Sequence, residues 1–205
     1  MTDSGNTFQA QVAALRRAQI LDAAAQVFAE RGFHRTTIRD VAKAAGVADG
    51  TIYNYFENKT ALLLGILDRL NDAERRAIES AHAEATDLRS FTRHYFQNHL
   101  QVFADANQDL LRVVLSEVLV NAELRERYIQ QIVAPTFVVL LQQLAPLAEQ
   151  GGLRSESLQP TIQLMSSMLL GVLMAGMFDE QSAQSTWEQL PDLLTDLFCQ
   201  GLFRT

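Results

Sequence analysis

The stretch Thr36–Lys59, TTIRDVAKAAGVADGTIYNYFENK, limits the fold more than any other part of the chain. Val41, Ala42, Ala45, Val47, Ile52, Tyr53 and Phe56 supply apolar points for two short helices, and Gly46 stands where the first must stop. Thr37 followed three residues later by Asp40 reads as a capping box. Gly46 suits a left-handed C-cap. The second helix is expected over Ala48–Tyr55. Two such helices around a glycine turn describe a helix-turn-helix, whose second member enters the major groove of DNA. Asp49, Gly50 and Thr51 then fall in the first turn of that recognition helix, where base edges or phosphates are met.

The remainder reads as helix throughout. Residues 1–10 are small and polar and are expected to form a loose arm. Gln11–Arg31 carries a wide apolar stripe from Leu15 to Phe28. Asn58 caps a long helix reaching Ala83. Further helices are expected over Asp87–Phe103, Asp109–Val120, Glu123–Glu149, Thr161–Phe178 and from Pro191 to Phe203. Pro135 should kink or break the third of these five, Pro146 should end or bend it again, and Gly151 should open a loop running to Pro160. The fold class is therefore all-α, with about nine helices. A three-helix helix-turn-helix domain over 11–59 is joined through the long helix to a helical domain over 60–205.

Composition sharpens this. The net charge of -7 argues against a general nucleic-acid binder, but it is unevenly spread: residues 1–59 carry a net +1 and residues 60–205 a net -8. One cysteine, Cys199, excludes an intrachain disulfide or a cysteine metal cluster. Residues 1–20 do not read as a signal peptide. No run of 18 apolar residues is free of polar interruption, so no membrane span and a cytoplasmic location are expected. His94 and His99 lie five apart, a poor spacing for metal ligands on one helix face, and His34 has no neighbour of that kind. Neither a metal, a cofactor nor catalytic residues are expected.

Ala24, Phe28, Gly32, Thr36, Thr37, Ile38, Val41, Ala42, Ala45, Gly46, Val47, Gly50, Thr51, Ile52, Tyr53, Tyr55, Phe56, Asn58 and Lys59 together resemble the DNA-binding segment of the TetR family of transcriptional regulators. The resemblance covers roughly residues 18–66 and implies backbone contacts from Tyr53 and Lys59. Arg39, Asp49, Gly50, Thr51 and Asn54 are candidates for sequence readout, and Thr37 and Tyr55 complete the DNA-facing set. Ala48 stands where many members place a Ser or Thr cap. The resemblance further implies an effector cavity beside the long helix. Phe91, Tyr95, Phe103, Leu115, Tyr128, Phe137, Met168 and Met174 are its candidate wall, and the ligand is expected to be small and apolar or aromatic. Arg93, His94, His99 and Arg112 could add a polar anchor.

A near-palindromic double-stranded operator calls for a homodimer. Residues 161–178 and 191–203 are the expected interface, with Leu164, Met168, Leu169, Gly171, Val172, Ala175 and Phe198. The implied function is a repressor released from its operator by ligand. The alternatives are an activator of the same fold, a dimerisation module without DNA binding, and a helical enzyme. The last lacks paired carboxylates, a nucleophile motif and a phosphate loop.

Overall fold

Thr37 and Gly46 bracket the first short helix in the manner their types require. Thr37 is extended (φ -108°, ψ 161°). Its hydroxyl oxygen accepts the Asp40 N–H at 3.2 Å, and the Asp40 carboxylate accepts the Thr37 N–H at 2.9 Å. Gly46 adopts φ 65°, ψ 34°, a left-handed conformation that a side chain would strain. The computed structural model describes residues 3–105, 108–150, 155–178 and 188–203. Among these residues all regular structure is helical: α1 (Asp3–Arg31), α2 (Ile38–Ala45), α3 (Asp49–Tyr53), α4 (Lys59–Glu84), α5 (Leu88–Asp105), α6 (Gln108–Val120), α7 (Ala122–Tyr128), a π-helical turn (Ile129–Val133), α8 (Ala134–Gln150), α9 (Ser155–Phe178) and α10 (Leu190–Phe203).

The described residues form two compact units. The first takes in the chain up to Arg69 and the segment ending at Ile129; the second begins at Leu70, leaves off before that segment and resumes at Gln130. These units do not coincide with a division at residue 59. The first half of α4 is bound into the first unit through Leu62, Leu63, Ile66 and Leu67, all buried, and α6 packs on α1. In this unit Ile20, Leu21, Ala24, Val27 and Phe28 of α1 are buried with Val41, Ala42 and Ala45 of α2. Gly65 marks the tightest approach. A Cβ there would lie 2.9 Å from Leu21 Cδ2 and 3.1 Å from the Phe56 ring. The second unit centres on Phe91, Tyr95 and Phe96 of α5, packed with Leu140 and Leu144 of α8, Ile162 and Met165 of α9, and Phe198 of α10.

Several boundaries differ from the sequence expectation. α1 begins at Asp3, so the described part of the expected loose arm is helical. Residues 7–15 contain glutamines and alanines without a helix breaker, and polarity alone does not oppose a helix. The single helix expected over 123–149 is α7, the π turn and α8. The π turn falls just before Pro135, where a missing N–H and a bulky ring would otherwise break the ladder. Pro146 and Pro160 lie inside α8 and α9, so residues 155–160 are helix and not loop. The first part of the expected loop, 151–154, lies outside the described residues.

The cap supports a stability prediction. Hydrogen bonds from Thr37 hold the Asp40 carboxyl below the ordinary value of 3.8, with the Arg31 charge helping. A depressed folded pKa contributes stability above the unfolded value and loses it as pH falls through the folded one. Thr37→Ala should lower stability at neutral pH by about 1 kcal/mol in urea unfolding. The gap from the unaltered protein should narrow below about pH 4, as Asp40 takes up its proton.

Candidate DNA-binding surface and effector unit

The recognition helix is α3, five residues long. Its N-cap, Ala48, is extended (φ -71°, ψ 149°) and makes no side-chain cap bond. Ile52 is the buried residue that seats the helix. Gly50, Tyr53 and Asn54 face solvent, Thr51 and Tyr55 are half-buried, and Tyr53 is 58% exposed despite its large ring. A side chain at Gly50 would meet nothing of the chain within 4 Å. Arg39 on α2 projects outward, its side chain 86% exposed, and its Nε donates to Asp49 Oδ2 at 3.3 Å. The acid in the recognition turn therefore holds the guanidinium expected to read a base. Thr37 is exposed but its hydroxyl is engaged in the capping box, donating to Asp40 Oδ2 at 2.6 Å.

Lys59 departs from expectation. Its Nζ donates to the carbonyls of Phe33 at 2.7 Å, His34 at 3.3 Å and Thr36 at 3.0 Å, and it lies 4.4 Å from the centre of the Phe33 ring. An ammonium has three donors, and all are spent. Burial lowers the Lys59 pKa, while the Glu117 carboxylate opposes that shift. Lys59 thus joins the first turn of α4 to the segment leading into α2. The residue type and position were legible, but the three carbonyls that converge on it come from a loop whose path the sequence pattern does not encode. Glu117 was likewise overlooked as a member of this region. On α6 it is 5% exposed and lies 3.0 Å from His34 Nε2. Gln19 of α1 also braces the motif, donating to the Ala45 carbonyl at 2.7 Å.

The eight candidate effector residues are not brought together in one unit. Phe91 and Tyr95 are fully buried in the second unit, where Phe137, Met168 and Met174 are half-buried. Leu115 and Tyr128 belong to the first unit and are half-buried there. The Phe103 side chain lies outside the described residues. Tyr95 stacks near Phe91 with ring centres 6.3 Å apart, and burial followed by the Glu74 charge raises its pKa well above the usual value. His99 is buried, its Nδ1 2.8 Å from the Tyr95 carbonyl and its Nε2 3.4 Å from Glu74 Oε1. Arg93 is not a free anchor, since its Nε lies 2.5 Å from Asp192 Oδ1 on α10. A separate open groove of about 400 Å³ lies between α1 and α6, lined by Asp22, Glu30 and Asp109 among others, and includes none of the eight.

Among the expected dimer residues, Leu164 is 56% exposed, Gly171 and Ala175 are exposed, and Met168 and Val172 are half-buried. Leu169 and Phe198 are not available to a partner, because they point into the core of their own unit. Among the described side chains of α10, Leu193 and Leu197 are the exposed large apolar residues. Period alone could not separate the two faces of helices that are apolar nearly all round.

The family model described as bacterial regulatory proteins, tetR family, matches residues 20–66. The fatty acid metabolism regulator protein of Bacillus subtilis is 44% identical over 69 residues, a stretch covering 33% of this chain and 36% of that protein. At the level of structure, the fatty acid degradation regulator FadR of Bacillus halodurans is 30% identical, with 88% of this chain and 94% of that one superposed at a TM-score of 0.73. The chain belongs to the TetR family. The FadR regulator of Bacillus subtilis, solved with stearoyl-CoA, is 25% identical over 87% of this chain and 97% of its own, at a TM-score of 0.74. TetR-family membership accounts for the all-helical plan.

The Lys59 geometry separates two roles. Lys59→Met should destabilise the TetR-family protein by about 1–3 kcal/mol in thermal or urea unfolding, through three lost charge-assisted bonds. The salt dependence of DNA binding should keep its slope. A direct phosphate contact would instead leave stability unchanged and reduce that slope by about one.

Proposed function

We propose that the protein is a cytoplasmic, homodimeric, ligand-responsive repressor that binds a near-palindromic operator through α3. The observation that carries this reading is the bare outer face of α3, where Gly50, Tyr53 and Asn54 stand free of the chain's own packing. Tyr53 supplies a hydroxyl to phosphate, while Thr51, Asn54 and Arg39 supply groups suited to base edges. The near-balanced charge of residues 1–59 leaves little nonspecific attraction, so affinity rests on these contacts.

An effector binding in the second unit favours the DNA-incompetent state and lowers operator affinity by that difference. The relatives bearing fatty-acid names, and the stearoyl-CoA in one similar structure, support an apolar effector with an acyl chain as the first class to test. An acyl chain would have to part Phe91 and Tyr95 from their neighbours, which would tie occupancy to helix movement.

Pairing is supported by surplus apolar surface. Leu158–Gly176 is long and apolar enough to cross a bilayer by composition, yet only 28% of it is buried in the single chain. Leu164, Met168, Gly171 and Ala175 form one stripe at helical spacing, and Leu193 and Leu197 form another on α10. Two copies would cover this surface.

Full-length protein should recover a specific duplex from genomic fragments, and stearoyl-CoA should release it in a mobility-shift assay. Failure to enrich any fragment over scrambled DNA would contradict DNA binding; enrichment without release would contradict only the effector class. Leu164→Glu with Leu197→Glu should convert a dimer to a monomer in sedimentation velocity. A monomeric unaltered protein, or a dimer that survives both changes, would contradict the assigned interface.

A further inference from the structure

Glu117 is a carboxylate buried on α6, far along the chain from the helix-turn-helix. A buried charge is costly unless partnered, and its two partners flank that motif in the chain, His34 before α2 and Lys59 after α3. His34 Nε2 is 3.0 Å from Glu117 Oε1. The Lys59 ammonium is close enough to feel its charge. Lys59 in turn holds the carbonyls of Phe33, His34 and Thr36. The acid meets His34, the ammonium meets the carbonyls of Phe33, His34 and Thr36, and the next residue is Thr37, which caps α2. The end of α6 is itself fixed. Arg125 donates to the carbonyls of Val118 at 3.3 Å and Leu119 at 2.9 Å, and the Asn121 N–H donates to the Glu117 carbonyl at 2.9 Å. α6 also packs on α1 within the same unit.

We propose that Glu117 is a positioning residue for the DNA-facing helices. Its carboxylate fixes His34 and the Lys59-held segment 33–36, so that a displacement of α6 changes operator affinity without altering any side chain that touches DNA. The inference rests on the DNA-binding reading above, and it adds the residue through which α6 acts. Asp40 and Arg31 pair with each other at 3.0 Å, and Arg35 donates to the Arg31 carbonyl at 2.8 Å, so these nearby charges are already engaged elsewhere. A substitution at Glu117 therefore changes one interaction set.

The test uses the full chain and a duplex recovered by selection from a random-sequence pool. Affinity is read for the unaltered protein, Glu117→Gln, His34→Ala and the double variant, against both that duplex and a scrambled one. Amide exchange at residues 33–37 is followed without DNA. Glu117→Gln should weaken specific binding roughly tenfold, the middle of the range for coupled neighbours. Scrambled-duplex affinity should stay constant and exchange at 33–37 should quicken. In the His34→Ala background the same change should cost only about twofold.

Equal costs in both backgrounds, or unchanged specific affinity and exchange in Glu117→Gln, would overturn the proposal. If Glu117→Gln does not fold, His34→Ala carries the test, since that ring is 79% exposed and its removal breaks the same contact from outside. Exchange at 33–37 that stays slow in His34→Ala then overturns the proposal. A selection that yields no duplex contradicts the DNA-binding reading itself, and the exchange measurement still decides whether Glu117 positions the segment.

Discussion

Three carbonyl groups of one short loop point at a single ammonium, and the geometry of the helix-turn-helix depends on that arrangement. The loop between α1 and α2 must reverse the chain within a few residues, which leaves the carbonyls of Phe33, His34 and Thr36 outside any helix. Unpaired backbone acceptors at a half-buried site are costly. Lys59, at the first position of α4, satisfies all three and lies over the Phe33 ring as it does so. The start of α4 and the start of α2 are thereby joined by one side chain. Thr36 adds a second lock, its hydroxyl donating to the Gly32 carbonyl at 2.8 Å.

From that joint the rest of the first unit follows. Thr37 is delivered in the extended conformation that its capping role needs, α2 runs to Gly46, and the turn sets α3 with Ile52 inward and Tyr53 outward. Gly65 admits α4 to within van der Waals contact of Leu21 and Phe56. α6 then closes the unit with its buried acid. The segment that completes the DNA-facing unit thus comes from much later in the chain, and the unit is compact in space but not in sequence.

Local signals were legible and long-range ones were not. Thr37, Asp40 and Gly46 carry stereochemical demands that act within a few residues, so their capping roles could be read from type and spacing. The outward place of Tyr53 did not follow from its type, since its ring put it among the apolar points of the helix pair, and only the family resemblance set it facing DNA. The partners of Lys59 were not legible, because they are 23 to 26 residues away and are main-chain atoms, which no residue pattern reports. Leu169 and Phe198 were placed at a partner surface because α9 and α10 are apolar on more than one side, and hydrophobicity does not say which side meets the chain's own core. The helical start of α1 was missed for a different reason: a polar, alanine-containing segment is as compatible with a solvated helix as with a loose arm.

The decisive measurement is a structure of the full-length dimer on a selected operator duplex. The account predicts that Lys59 Nζ remains on the carbonyls of Phe33, His34 and Thr36, while the Tyr53 hydroxyl reaches a phosphate from the outer face of α3. A Lys59 side chain withdrawn from those carbonyls and seated on the DNA backbone would contradict it.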